Sequence, residues 1–301
     1  MATGIGGLYG DNMKFFREGL DCPHVSILIN KIEMEFTPPA FNLGAELGEY
    51  RIPVRYSADE RQTEEKGQNE IEGIARYNII TWAGSSAETI IYHHGSGETN
   101  YTARIKQIAL KAKDWPEKNI IAVSIPFNSN MKEYLYGVGS LKRFAFIFAS
   151  SVRLTEHIVR FLKQQGNRNI VCAGMSLGGW ITNLHHTYHN SCTTYKPIFA
   201  GAAPDHLFLH TPYRKMVACQ QKKIPDYGAS DTGDSITAAL NFEEDFLKRE
   251  NGNVFPCMAR FDQYINLERQ SGIYREENMR IIEKGHITGA AAYKELRQHL
   301  Q

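Results

Sequence analysis

The chain has 301 residues, of which 42% are hydrophobic and 11% aromatic, and this composition can bury a large core. Its 34 Lys and Arg residues nearly balance 33 Asp and Glu residues, so the net charge of +1 points to neither a nucleic-acid partner nor an anionic membrane surface. Five cysteines at scattered spacings, without a C-x-x-C pair, argue against a disulfide framework and a zinc site and favour a reducing cytoplasm.

The first part of the chain predicts an antiparallel entry into a sheet. Residues 1–23 show no hydrophobic period and are interpreted as a loose arm or a docking helix. Apolar and polar side chains alternate over residues 31–36 and 50–56, which predicts two half-exposed strands. Polar residues 57–73 predict a surface loop, and residues 75–82 predict a third strand.

From residue 89 onward, strand and helix patterns alternate, which predicts a parallel α/β sheet. The predicted elements are strand 89–93, helix 101–113, strand 119–126, helix 141–165, a strand over residues 170–173 with a helix after it, strands 196–203, 254–261 and 279–283, and helix 289–300. Between residues 205 and 253 the order is weaker, with a polar turn at 228–235 and short helices at 236–240 and 242–248.

The most informative stretch is Gly174-Met175-Ser176-Leu177-Gly178, a G-x-S-x-G pattern between the strand at 170–173 and the helix that follows. A serine raised above a sheet edge needs a sharp turn, and glycines two places before and after it leave room for the neighbouring backbone. The stretch resembles the nucleophile elbow of the α/β-hydrolase superfamily, and the resemblance implies that Ser176 is the nucleophile. The alternative is a glycine-rich turn that packs a helix onto a sheet.

The resemblance covers about residues 75–300 and implies the α/β-hydrolase fold: a mostly parallel central sheet with helices on both faces and antiparallel N-terminal strands. We expect one domain over residues 1–301, with residues 1–74 as N-terminal strands and arm, and residues 206–253 as a small cap insertion. Leu207, Phe208 and Leu209 would then contribute to an acyl pocket, with glycines of the 228–235 turn as hinges. The alternative is an ordinary pair of surface helices.

A serine nucleophile needs a histidine base and a carboxylate that orients it. In α/β hydrolases these follow in the order serine, acid, histidine, in loops after late strands. His286 follows the last predicted strand, and Asp262 ends the strand before it. Asp205, which follows the predicted strand 196–203, is the competing acid.

The loop His93-His94-Gly95-Ser96-Gly97 follows the strand at 89–93 and resembles the H-G motif of the oxyanion hole. By position, the backbone N–H groups of Ser96 and Leu177 would be the donors. The same glycines could begin a dinucleotide fingerprint, but Asn100 occupies the third glycine position and no acidic residue ends the next strand. No lysine follows the glycines of either loop, which excludes a Walker-type phosphate loop.

His185, His186 and His189 lie on the predicted elbow helix, but the H-E-x-x-H pattern of a zinc site is missing. We interpret these histidines as a solvated helix end and expect neither a metal nor a cofactor.

Together these patterns predict a cytoplasmic, cofactor-free serine hydrolase that acts on a small-molecule acyl substrate. A carboxylester is the first choice of bond, and thioester, amide or peptide, and carbon–carbon bonds remain open because similar machinery cleaves them. A non-catalytic ligand-binding protein on the same fold is the alternative from another class. The longest apolar stretch, residues 144–152, is too short to span a bilayer, and the first ten residues carry no export signal. The oligomeric state stays open.

Overall fold

A computed structural model of the protein describes residues 14–36, 47–57, 70–109, 117–217 and 229–301. Within these ranges nine strands form one sheet, in the order β1-β2-β3-β5-β4-β6-β7-β8-β9. The strands are β1 (Glu33–Met34), β2 (Gly48–Ser57), β3 (Glu70–Thr81), β4 (Thr89–His93), β5 (Asn119–Ser124), β6 (Ile170–Met175), β7 (Thr194–Ile198), β8 (Cys257–Ala259) and β9 (Arg280–Ile282). The pairs β1–β2, β2–β3 and β3–β5 are antiparallel, and all other neighbours are parallel, so the predicted mostly parallel sheet with an antiparallel entry is confirmed.

Helices cover both faces of this sheet. The α-helices are α1 (Val25–Lys31), α2 (Ala103–Ala109), α3 (Met131–Val138), α4 (Leu141–Gln164), α5 (Leu177–Tyr188), α6 (Asp205–His210), α7 (Ala229–Leu240), α8 (Glu243–Leu247), α9 (Leu267–Ser271), α10 (His286–Ala290) and α11 (Tyr293–Leu300). Successive side chains of β6 point to opposite faces, so Cys172 joins the core beneath α4 and α5, whereas Val171 and Ala173 join the core beneath α2 and α11. Among the described residues, no helix has the length and apolarity needed to cross a membrane.

The long helix α4 lies where the sequence predicted it. The helix was predicted over residues 141–165, and it is observed over Leu141–Gln164, so only its C-terminal end differs, by one residue. The next glycine, Gly166, adopts a φ of +89°, a conformation that glycine tolerates and that ends helices. Apolar periodicity and a terminating glycine were sufficient here, because both signals act within the helix itself.

The N-terminal region differs from its prediction in two places. Helix α1 was not predicted, and it reduces the predicted strand 31–36 to the two residues of β1. Val25, Leu28 and Ile29 are buried on one side of this helix and join the core beneath α4, so packing on a distant element stabilises a segment too short to form a helix alone. Strand β3 begins at Glu70, inside the predicted loop 57–73, while residues 58–69 lie outside the described residues.

The predicted turn at 228–235 is also wrong where the structure describes it, since α7 begins at Ala229 and continues through Gly233 and Ser235. Ile236, Ala239 and Leu240 are buried in the same core as Leu207. This packing outweighs the turn preference of the local sequence. Gly228, one of the proposed hinges, lies outside the described residues.

Several other predicted bounds were too long, and helix α3 was missed. The described part of helix α2 runs from Ala103 to Ala109, and the predicted end at residue 113 lies outside the described residues. Strands β7, β8 and β9 are shorter than their predicted ranges, and the last predicted helix is two helices, α10 and α11. Apolar residues near the ends of these strands continue into buried loops, so apolar runs overstate strand length.

Candidate active site

Ser176 lies on a sharp turn between β6 and α5. Its backbone has a φ of +56°, a left-handed conformation that is unfavourable for a residue with a side chain. The Ser176 N–H donates a 2.8 Å hydrogen bond to the carbonyl of Ile198 at the end of β7. The sheet therefore holds the strained turn in place, and the serine side chain projects above the carboxyl end of β6.

The glycines of the motif are required by close backbone contacts. A Cβ atom on Gly174 would lie 2.3 Å from the carbonyl oxygen of Gly178, and one on Gly178 would lie 2.3 Å from the carbonyl oxygen of His93. Both distances are far below van der Waals contact. The G-x-S-x-G spacing thus lets α5 start directly against the ends of β4 and β6.

His286 is the first residue of α10, just after β9, and its imidazole faces the serine. The distance from His286 Nε2 to Ser176 Oγ is 3.0 Å. On its other side, His286 Nδ1 lies 2.6 Å from Asp262 Oδ2. A carboxylate can only accept hydrogen bonds, so His286 Nδ1 carries the imidazole proton. Nε2 then accepts a hydrogen bond from the serine hydroxyl and can take its proton.

Asp262 follows β8, and its side chain is only 1% exposed. Its second oxygen, Oδ1, accepts hydrogen bonds from the backbone N–H groups of Tyr264 and Ile265, both at 2.8 Å. Both oxygens of this carboxylate are therefore bonded. Asp205, the competing acid, lies elsewhere at the start of α6 and accepts from Thr237 Oγ1 and Asn241 Nδ2, each at 3.0 Å.

Ser96 and Leu177 line the same small pocket as Ser176 and His286. Leu177 is the first residue of α5, so its N–H has no acceptor in the preceding helical turn, and the positive end of the helix dipole lies at this point. The Ser96 hydroxyl contacts the hydroxyl of Tyr134, a fully buried residue of α3. The loop that carries Ser96 is thus anchored to α3, a helix that the sequence did not predict.

Two further groups fix this loop. His94 is fully buried; its Nδ1 donates to the carbonyl of Gly95 at 2.7 Å, and its Nε2 accepts from Asn128 Nδ2 at 3.3 Å. Burial, the largest effect, lowers the pKa of His94 and keeps it neutral, as this bonding pattern requires. The Glu98 carboxylate accepts from the N–H of Gly95 at 3.4 Å and from Arg104 Nε at 2.7 Å. The H-G motif already included His94, whereas no local pattern marks Asn128, Glu98 or Arg104.

Two cavities meet at Ser176. The first, of about 20 Å³, has an apolar wall made largely of aromatic side chains. Its wall residues are Phe15, Phe144, Trp180, Leu207, Phe208, Tyr213, Tyr264 and Ile265. Leu207 and Phe208 were predicted for an acyl pocket, whereas Leu209 does not line it. The backbone hydrogen bonds from Tyr264 and Ile265 to Asp262 could have been predicted from the sequence, because these residues follow the aspartate at the spacing of an Asx turn. No sequence pattern indicates that Phe15 lines the cavity.

The second cavity, of about 320 Å³, is the more open of the two and has a mixed wall. It contains the Glu98–Arg104 ion pair together with Met175, Ile287 and Tyr293. Both cavities include Ser96, Ser176 and His286, so the Ser176 hydroxyl lies where the two cavities meet.

The elbow-helix histidines are not at a solvated end, as the sequence suggested. His185 and His186 are fully buried, and His189 is half-buried, because α5 lies between the sheet and its neighbouring helices. His185 Nε2 lies 3.3 Å from Glu156 Oε2, and His186 Nε2 donates to the carbonyl of Glu250 at 3.1 Å. The prediction failed because it judged this helix by its own polarity and not by what covers it.

One cluster in the described part of the chain has the donor types of a metal site. Potential ligand atoms of Cys172, His185 and Cys192 lie within 4.8 Å of one another, and all three residues are buried. Burial lowers the pKa of His185, but the neighbouring Cys192 and Glu156 outweigh it and raise that pKa to about 9. Burial also raises the pKa of the Cys192 thiol. His185 and Cys192 would both have to lose a proton to bind a metal, and burial and the Glu156 carboxylate oppose these losses.

Comparisons with known proteins support the architecture. A scan against protein-family models and a search of curated proteins found no match. Among solved structures, acetyl xylan esterase 1 from Thermoanaerobacterium sp. JW/SL YS485 is similar, with a TM-score of 0.54 and 11% identity over 100% of both chains. An acetyl xylan esterase from Paenibacillus sp. R4 gives a TM-score of 0.50 and 11% identity over 91% of each chain. Acylaminoacyl peptidase from Pyrococcus horikoshii gives 0.51 and 13%, covering 99% of this chain and 43% of that one. With its mixed sheet, its elbow after β6 and these neighbours, the chain has the α/β-hydrolase fold.

Proposed function

We propose that this protein is a serine hydrolase that cleaves a carboxylester through an acyl-enzyme. The observation that carries the proposal is the chain of hydrogen bonds from Ser176 Oγ to His286 Nε2 and from His286 Nδ1 to Asp262 Oδ2. The serine at one end of this hydrogen-bond network lies on a strained turn. Two cavities adjoin it, which leaves room for an acyl group on one side and a leaving group on the other.

In the proposed reaction, His286 Nε2 takes the proton of Ser176 as Oγ attacks the ester carbonyl carbon. Asp262 holds the imidazole in the required tautomer and stabilises the imidazolium. The N–H groups of Ser96 and Leu177 hold the oxyanion of the tetrahedral intermediate. The imidazolium then gives its proton to the departing alcohol, which leaves an acyl group on Ser176. A water molecule, activated by the same imidazole, hydrolyses that acyl-enzyme.

An ester remains the first choice of bond. Two of the neighbours described above are named as esterases, and one is named as a peptidase, so amide or peptide cleavage is the second candidate. Thioester and carbon–carbon bonds remain further alternatives on this fold. No step of the proposed reaction uses a cofactor or a metal, and the cytoplasmic location remains a prediction from cysteine usage.

We also propose that the described parts of the chain belong to one domain and that residues 206–253 act as a small cap. The support is that Leu207 and Phe208 of α6 line the 20 Å³ cavity beside Ser176. Helix α7 joins them through the hydrogen bond from Thr237 to Asp205.

The proposal is tested with a fluorophosphonate probe and p-nitrophenyl acetate. The wild-type protein should be labelled and should release p-nitrophenol. Ser176→Ala should abolish labelling and lower kcat by about 10⁴-fold to 10⁶-fold while the circular dichroism spectrum is retained. Ser129→Ala is the matched control, since Ser129 is exposed and lines neither cavity. If the wild-type protein is not labelled, the non-catalytic binding protein becomes the better hypothesis.

A further inference from the structure

The two cavities at Ser176 differ in size and enclosure, and the smaller one includes a residue from the N-terminal segment. From this difference we infer that the enzyme is selective for acetyl-sized acyl groups, and that Phe15 sets the limit. The inference rests on the proposed serine-hydrolase function and adds the substrate class to it.

The size of the smaller cavity allows little more than a methyl group. A cavity needs roughly 10–15 Å³ to hold one water molecule, so about 20 Å³ holds one water or one group of similar size. The methyl of an acetyl group meets this limit, whereas a butyryl chain adds two methylenes. The 320 Å³ cavity falls at the lower end of the range for small-molecule sites, roughly 300–1,000 Å³.

The order of events assigns the acyl group to the smaller cavity. In an acyl-enzyme mechanism the alcohol must leave before water can reach the ester, while the acyl group stays attached to the serine. An alcohol in the more enclosed cavity would have the narrower way out. The leaving group therefore occupies the more open cavity beside Glu98 and Arg104, and the acyl group occupies the smaller, apolar one.

The wall of the smaller cavity is closely packed where Phe15 contributes to it. Phe15 is 1% exposed, and its ring centroid lies 5.1 Å from that of Phe208 and 6.2 Å from that of Phe144. Its N–H donates to the carbonyl of Met216 at 2.8 Å, and it forms an isolated β-bridge with Val217. A close-packed aromatic cluster with a fixed backbone does not yield to a longer chain without a loss of packing energy. Phe15 is thus a specificity-determining residue.

The experiment compares p-nitrophenyl acetate, butyrate and hexanoate, so that the leaving group stays constant. For the wild-type protein, kcat/KM should fall by about tenfold or more from acetate to butyrate, since one methylene in a tight pocket changes selectivity by 10-fold to 200-fold. Phe15→Ala should shift the butyrate-to-acetate ratio towards butyrate by at least about tenfold. Phe16→Ala is the matched control, because Phe16 is fully buried and packs on the same Phe144 and Phe208 but does not line the cavity.

The outcomes separate the two proposals. A wild-type protein that hydrolyses none of the esters and resists the fluorophosphonate would overturn the proposed function itself. A labelled wild-type protein that prefers butyrate or hexanoate would overturn the acetyl limit alone. An unchanged ratio in folded Phe15→Ala, or an equal shift in Phe16→Ala, would remove Phe15 from its role. If Phe15→Ala fails to fold, Phe15→Leu is measured in its place and should shift the ratio in the same direction.

Discussion

The sharpest test of the site replaces Asp262 by asparagine, which keeps the size of the side chain and changes only its hydrogen bonding. Asp262 Oδ1 faces two backbone donors, the N–H groups of Tyr264 and Ile265. The amide oxygen of asparagine must take this position, because an NH₂ group there would meet two other donors. The NH₂ group is then turned towards His286 Nδ1, where the carboxylate had accepted.

This exchange forces the histidine into the wrong tautomer. With a donor opposite Nδ1, the imidazole proton moves to Nε2, which can no longer accept the proton of Ser176. The opposite amide orientation would leave the half-buried N–H groups of Tyr264 and Ile265 without acceptors, at about 1–3 kcal/mol each. The productive tautomer is therefore disfavoured by about 2–6 kcal/mol, which corresponds to a loss of roughly 30-fold to 3 × 10⁴-fold in kcat.

The assay is kcat/KM for p-nitrophenyl acetate with Asp262→Asn and Asp205→Asn side by side. Among the described residues, Asp205 accepts hydrogen bonds from Thr237 and Asn241, both outside the two cavities. Its replacement should therefore cost stability, about 1–3 kcal/mol in urea unfolding, and should change kcat/KM by no more than about fivefold. A larger loss of activity in folded Asp205→Asn than in Asp262→Asn would refute the assignment of the acid and the tautomer argument with it.

Two further predictions test the elbow and one buried histidine, His299. Gly178→Ala should lower kcat for p-nitrophenyl acetate by at least about 10²-fold, because the new Cβ would lie 2.3 Å from the His93 carbonyl oxygen and would displace the turn. Gly272→Ala is the control and should retain activity, because its Cβ would meet open space. Burial, the largest effect, lowers the pKa of His299 to about 3. Below a pH of about 6.5 the unfolded chain therefore binds a proton that the folded chain excludes, and stability falls as the pH drops from about 6.5 towards 3. The free energy of unfolding, measured in urea, should fall between pH 8 and pH 5 by about 2 kcal/mol less in His299→Gln than in the wild-type protein. Replacement of His210, which is exposed, is the control. An unchanged fall in His299→Gln would contradict this account.

The sequence by itself predicted the α/β-hydrolase fold and singled out Ser176, His286 and Asp262. It could do so because these signals are local. The elbow needs glycines at fixed places beside the serine, and the contacts of 2.3 Å at Gly174 and Gly178 show why other residues do not fit there. The histidine and the acid were chosen by the order that the resemblance to α/β hydrolases implies. Their places after late strands could be read because an apolar run marks a strand even when its predicted bounds are too long. The catalytic roles of these residues remain predictions.

The tertiary structure decided the questions that depend on which surfaces meet. Asp262 and Asp205 both follow predicted strands, and only the packed loops show that one carboxylate faces His286 while the other faces α7. Phe15 lies far from Ser176 along the chain, in a segment without periodicity, yet it lines the cavity beside it. The burial of His185 likewise follows from the elements that cover α5. Contacts between distant segments depend on the summed packing of the whole core, and the residues next to each position in the sequence do not record them.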